Sequence, residues 1–315
     1  MGSVLTDPLP VVEWVVEGWI GRGSRVVLYG EFGSMKSWLL IHLALCIASG
    51  REWAGHRTHP QSVLYIDEEM SERNLRYRAR RLAHGLGLTG DVPLQFYSHA
   101  GVRFDSQGAQ KLMERLNESQ FRPSVVIVET LRRVLVGKEN EASDISAFWR
   151  NVDPLVIQGV TLIVSHHMRK PHLDGPNNPR HMASGSTDIL AGGDVGIALS
   201  RPKPHTLVLT CVKNRDIDEG HPLTLTVYPG EKDGPFAIER APDYIDNFGQ
   251  AMLALCAQHP DLTHKQIYDL HHEAIGVSHV TYWRRMQRVP CTHTRQEPAA
   301  ALPSRGNTVD APSVS

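Results

Sequence analysis

The chain has 315 residues, is 41% hydrophobic and carries a formal net charge of −1. That length suits one large α/β domain and a smaller second one, and so small a charge excludes nucleic-acid binding through the overall field, leaving only local basic patches. The four cysteines (Cys46, Cys211, Cys256, Cys291) lack zinc or redox spacing and no run of 18 apolar residues occurs, so neither a disulfide scaffold nor a transmembrane helix is expected.

The N-terminal stretch MGSVLTDPLPVVEWVVEG places acids around its apolar part and has no basic leader. This argues against a signal peptide, and with unpaired cysteines it suggests a cytoplasmic protein without membrane association. Residues 1–24 read as a lead-in whose part 10–24 is amphipathic and ends in a glycine turn. The apolar run 25–29 (RVVLY) then enters GEFGSMKS, residues 30–37.

A strand that runs into a glycine turn and then Lys-Ser is the context of the phosphate-binding loop G-x-x-x-x-G-K-[ST]. Gly30, Lys36 and Ser37 fit it. Gly33 and Ser34 shape the loop, and Met35 replaces the glycine before the lysine. A side chain is tolerated there if its φ is negative. Lys36 would neutralise phosphate charge, Ser37 would hold Mg²⁺, and the loop backbone up to Trp38 would face the phosphates of ATP. The helix expected over 36–49 is apolar nearly all round and ends at Gly50, as a buried helix should.

Strand-like runs recur at 62–66, 124–128, 160–165, 194–199 and 206–212, with helical patterns at 71–86 and 143–157. The runs are continuously apolar rather than alternating, which suits a sheet buried on both faces. Strands alternating with helices imply a mostly parallel sheet with flanking helices, and the closely spaced strands within 194–228 suggest an antiparallel extension. The second strand ends in Asp67-Glu68-Glu69, at the ligand-binding edge of such a sheet. One carboxylate there could polarise a water, or the acids could cap a helix behind Ser71. The third strand ends in Glu129, where a Mg²⁺-anchoring acid is expected; the usual residue is Asp, one methylene shorter. The fourth ends in Ser165-His166-His167, polar groups able to sense a γ-phosphate.

The succession GEFGSMKSWLLIHLALCIASG, VLYIDEEMS, VVIVETLRRVL, LIVSHHMRK, SGSTDILAGGDVGIAL and VKNRD resembles the RecA-like ATPases, nearest the RepA-type hexameric helicase branch of plasmids and phages. Some members of that family carry a bulky residue before the P-loop lysine. The resemblance covers roughly residues 11–230. It implies ATP and Mg²⁺ as cofactors, Lys36 and Ser37 as the P-loop pair, and Glu69 as the acid that activates water, since it matches the family's D-x-E; Glu68 is the weaker candidate. It puts Glu129 in the place of the Walker B aspartate and His167 or His166 at the strand-end sensor. It also makes Lys213 and Arg215 a K-x-R pair reaching the neighbouring subunit's γ-phosphate, and hence implies a homo-oligomer, a hexameric ring in that branch.

DNA would meet two places. The loop 169–188 is rich in Gly, Pro and Asn and carries Arg169, Lys170 and Arg180; in related hexamers the corresponding loop faces the central channel, although a ligand-free surface loop has the same composition. Residues 244–258, 263–272 and 278–288 read as three short helices, with Thr263 and Ser278 as caps and Arg284, Arg285 and Arg288 on the third. This pattern suits a helix-turn-helix or winged-helix module, or a protein-contact module with a solvated basic face. The expected organisation is therefore a RecA-like ATPase domain over 25–241, a helix-turn-helix-like module over 242–289 and a disordered tail over 290–315. The expected function is an ATP-hydrolysing, DNA-associated motor of replicative helicase type. The alternatives are an ATP-controlled initiator or regulator with slow hydrolysis, and a RecA-like recombination mediator.

Overall fold

The computed structural model describes residues 11–168, 188–217, 222–241, 247–275 and 282. By its internal contacts the chain divides into two compact units, Met1–Pro242 and Asp243–Ser315.

The first unit is built on a nine-stranded sheet in the order β11-β10-β9-β8-β3-β7-β6-β4-β5. Its strands are β3 (Arg25–Gly30), β4 (Val63–Asp67), β5 (Leu94–Ser98), β6 (Val125–Glu129), β7 (Thr161–His167), β8 (Val195–Lys203), β9 (Thr206–Asn214), β10 (Leu223–Tyr228) and β11 (Ala237–Arg240). From β8 to β5 all neighbours are parallel, and β9, β10 and β11 are added antiparallel. The expected antiparallel extension thus begins one strand later than the sequence suggests: β8 pairs parallel with β3, and only then does the β8–β9 hairpin reverse the chain.

The continuously apolar strands follow from burial on both faces. Alternate residues of one strand enter different cores. Val26 and Leu28 pack with α1 (Lys36–Ser49) and α2 (Glu72–Gly85) in one cluster. Val27 and Tyr29 pack in the other, with α3 (Gly108–Glu118), α4 (Leu131–Val134), α5 (Ala142–Ile157) and α6 (Asp188–Gly192). Helix α1 is sandwiched between the sheet and its neighbours, which is why it has no polar face; even His42 is buried, and burial lowers its pKa to about 4. Gly50 ends the helix in the left-handed conformation, φ 71°. Ser71 precedes α2 as expected but makes no side-chain capping bond.

The expected amphipathic lead-in is described over residues 11–24. They form a small antiparallel pair, β1 (Trp14–Val16) with β2 (Ile20–Gly21), because Gly18 adopts φ 70° and turns the chain back. Strand β5 and helices α3 and α4 are also present without having been foreseen.

In the second unit, α7 (Asn247–Gln258) and α8 (His264–Ile275) enclose a small core of Met252, Cys256, Ile267 and Tyr282. Thr263 caps α8: its hydroxyl accepts from the Gln266 N–H at 3.3 Å, and Gln266 Oε1 accepts from the Thr263 N–H at 2.8 Å. This is a reciprocal capping box. The third expected helix, 278–288, lies outside the described residues except for Tyr282, as do Arg284, Arg285, Arg288 and the tail from 290.

Candidate functional site: a phosphate loop at the sheet edge

The C-terminal ends of β3, β7, β6 and β4 lie side by side, with Gly30 opposite His167 and Asp67 opposite Glu129. A parallel sheet gathers its ligand at this edge. From Gly30 the chain turns through Glu31–Ser34 into α1. A Cβ at Gly30 would stand 2.6 Å from the Leu199 carbonyl oxygen, so only glycine allows β8 to approach. Gly33 has φ 77°, and the Ser34 hydroxyl donates to the Glu31 carbonyl at 2.7 Å, closing the turn.

Met35 departs from the expectation of a negative φ. It holds the left-handed conformation, φ 68° and ψ 26°, as the cap residue of α1. The loop keeps the backbone a glycine would give it, and a methionine accepts the strain while its side chain packs against the α1-side core.

Lys36 is buried, and its ammonium donates to the carbonyls of Gly30 at 2.9 Å and Glu31 at 2.8 Å. Burial lowers its pKa, and the nearby carboxylates of Glu129, Glu69 and Glu31 oppose that shift. Trp38 directs its indole away from the loop: it stacks on Phe236 at 4.0 Å with the Arg78 guanidinium 5.1 Å from its ring. What Trp38 offers a phosphate is its backbone N–H, one of those a helix start leaves unbonded.

The two strand-end acids differ sharply. Glu129 is buried, with Ser37 Oγ donating to its Oε1 at 2.6 Å and the Tyr65 hydroxyl donating to its Oε2. Burial, then the charge of Asp67, raises its pKa to about 7. Glu69 is more open, and its Oε1 accepts from Thr130 Oγ1 and Arg133 Nε, both at 3.2 Å. Asp67 sets that position by accepting the N–H groups of Glu69 and Met70 at 2.8 and 2.7 Å. Glu68 turns the other way and accepts the N–H groups of Gly101 and Val102 at 3.3 and 2.9 Å, fixing the loop after β5. His167, half-buried, has its pKa lowered by burial and then by Lys36, whereas His166 is wholly buried.

Lys213 and Arg215 stand elsewhere. Lys213 Nζ donates to the carbonyls of Leu190, Ala191 and Gly193 at 2.9, 2.9 and 2.6 Å, at the end of α6. Arg215 pairs with Asp194 at 2.9 Å. Arg169, Lys170 and Arg180 lie outside the described residues.

The donor set fits a magnesium ion. Ser37 and Glu129 offer hard oxygen ligands next to the loop, and Asp67 Oδ2 is buried with no hydrogen-bond partner beside them. Among the described residues no group of three or more His, Cys, Asp or Glu forms a metal cage, and Mg²⁺ shared with phosphates needs none. Sequence reasoning missed Tyr65, Thr130 and Arg133. Tyr65 was findable, since it lies two residues before Asp67 on the same strand and so on the same face.

A phosphate loop, acids at the ends of β4 and β6 and a polar end of β7 on this sheet order fit a RecA-like P-loop ATPase domain. The sequence matches the family described as AAA domain (AAA_25) over residues 2–172, and the chain belongs to that family. Among solved structures it is similar to a DnaB-like replicative helicase described with its interactions with primase, at TM-score 0.52 and 13% identity over 69% of this chain and 59% of that one. The chain thus spans under two thirds of the helicase's length. It is also similar to the flagellar accessory protein FlaH from Methanocaldococcus jannaschii, at TM-score 0.43 and 17% identity, over 70% of this chain and 91% of FlaH. No curated protein sequence matches. Among the described residues no helix is long and apolar enough to cross a membrane.

Proposed function

We propose that the chain is an ATP-hydrolysing motor that works on DNA, of the RepA-like replicative helicase type, assembled as a homo-oligomeric ring. One observation carries the ATPase part of this reading. Lys36, Ser37, Glu129 and Glu69 converge on the phosphate loop, while Glu68 is held to the backbone at 101–102. Bound Mg-ATP would supply the leaving group and a neutralising cation. Lys36 would exchange its loop carbonyls for phosphate oxygens. Ser37 and Glu129 would hold the cation. Glu69, oriented by Thr130 and Arg133, would accept a proton from the attacking water. His167, next to Gly30, would sense the γ-phosphate, and Lys213 and Arg215 would act on the neighbouring subunit's nucleotide.

DNA would be contacted by Arg169, Lys170 and Arg180 in the channel and by Arg284, Arg285 and Arg288 of a helix-turn-helix or winged-helix module in the second unit. The similarity to a DnaB-like helicase supports the motor reading by fold alone. A slowly hydrolysing, ATP-controlled initiator is the second reading. It is favoured by Glu129, whose two oxygens are both held by protein donors.

ATP turnover with and without single-stranded DNA, together with strand displacement, separates these readings. DNA-stimulated turnover with displacement is expected. Turnover that ignores DNA, without displacement, would favour the initiator. In either case Lys36→Ala should lose nucleotide binding or turnover, because no other cation in the loop can take its place; a fully active Lys36→Ala chain would remove the P-loop reading.

A further inference from the structure

Glu129 stands where the resemblance places an aspartate, and its extra methylene has to be accommodated. Strands β4 and β6 run parallel with Tyr65 beside Ile127 and Asp67 beside Glu129. Tyr65, Asp67 and Glu129 therefore share the face of the sheet that carries α1. The Tyr65 side chain is fully buried, and its ring lies against Phe96 with centroids 5.6 Å apart. A ring packed in this way keeps its hydroxyl in one place, and a buried hydroxyl needs a partner. That partner is Glu129 Oε2, while Oε1 remains at Ser37. The carboxylate thus spans two anchors on two different elements, β4 and the start of α1. An aspartate, shorter by about 1.5 Å, could not keep both.

We propose that Tyr65 is a positioning residue for the divalent cation: its hydroxyl holds the longer acid by Oε2 so that Oε1 stays beside Ser37, where Mg²⁺ would bind with ATP. This rests on the ATPase reading above. Tyr65 touches neither nucleotide nor cation; it acts through Glu129.

The test uses the full chain and a fluorescent, non-hydrolysable ATP analogue, bound first in EDTA and then at rising Mg²⁺. Tyr65→Phe should retain binding in EDTA but need about tenfold more Mg²⁺ for half-maximal tightening, the effect of losing a hydrogen bond to a charged group. Glu129→Asp should also raise the Mg²⁺ requirement. Adding Tyr65→Phe to Glu129→Asp should then change it by less than about twofold, since the shorter acid no longer reaches the hydroxyl. The double variant should also melt no lower than Glu129→Asp alone, because it removes a hydroxyl that has lost its partner; this reading holds even if Tyr65→Phe alone folds poorly. An equal Mg²⁺ shift from Tyr65→Phe in both backgrounds, or none in the wild type, would overturn the role of Tyr65 while leaving the ATPase reading intact. A wild-type chain that binds no analogue under any of these conditions would overturn the ATPase reading itself, and this proposal with it.

Discussion

The two ends of strand β3 handle charge in opposite ways. At its C-terminal end, Lys36, Ser37, Glu129 and Glu69 face one another around a loop, and each has a group in reach that a nucleotide or cation could replace. At its N-terminal end, Asp194 accepts the Arg25 N–H at 2.9 Å and pairs with Arg215, and Lys213 fills three carbonyls. Pairing runs from Gly30 through Leu199, while Lys213 pairs back at Gly196. Arg215 therefore sits about five residues, roughly 17 Å, down the sheet from its own phosphate loop. A pocket that its own chain completes can be recognised in one copy. A cation that acts on another copy has no partner within the chain to identify it, and the pairs it makes alone are those of any strand end.

The largest expected effect tests that contrast. If Arg215 acts in trans, Arg215→Ala should bind ATP normally and lose turnover by about 10³–10⁵, the range for such fingers. Mixing it with Glu69→Gln should restore part of the activity, since a mixed interface pairs an intact Glu69 pocket with an intact Arg215. If Arg215 is only the partner of Asp194, an exposed pair worth about 0–1 kcal/mol is lost and turnover stays at the wild-type rate. Two inactive variants that stay inactive when shown to co-assemble would argue against a shared site.

The next effect lies within the phosphate-loop end and separates two adjacent acids. Glu69→Gln should keep ATP binding and lower hydrolysis by about 10²–10⁴, because the amide fits the same space and cannot take a proton. Glu68→Gln should lower turnover far less. Its two oxygens accept separately from the Gly101 and Val102 N–H groups, and an amide oxygen can keep the shorter of the two bonds, from Val102. A dead Glu68→Gln beside an active Glu69→Gln would show that the register is wrong by one.

The same contrast explains what could be read in advance. Strands β3, β4, β6 and β7 were legible because each is an unbroken apolar run with a polar terminus, and α1 because its helical run is apolar on every side. Strand β5 (LQFYS) was not, since all five of its residues are half-buried at the sheet edge and its sequence mixes polar with aromatic side chains. Strand β8 continues into Arg201 and Lys203, and nothing local reveals that its first half pairs parallel with β3. The roles of Glu68 and Glu69 were separated only by family pattern. The physical reason, an Asp67 carboxylate turning the chain through two N–H bonds, depends on a turn that three successive acids do not specify.

The smallest effect concerns Met35, where sequence and structure disagree about the sign of φ. With φ 68°, methionine bears the left-handed penalty of about 1–2 kcal/mol that glycine avoids. Against this, glycine costs about 0.5–1 kcal/mol of chain entropy and gives up the partly buried side chain, worth about 1 kcal/mol at such exposure. These terms nearly cancel, so Met35→Gly should unfold in urea within about 1 kcal/mol of the wild type. Met35→Ala keeps the strain and loses most of the packing. It should fall below Met35→Gly by about 0.5–1 kcal/mol, the reverse of the order at an exposed interior helix position, where alanine leads glycine by about 1 kcal/mol. Alanine above glycine would mean that the backbone here is not left-handed and that the loop differs from one that glycine would shape; glycine above alanine is the order that a left-handed residue 35 requires.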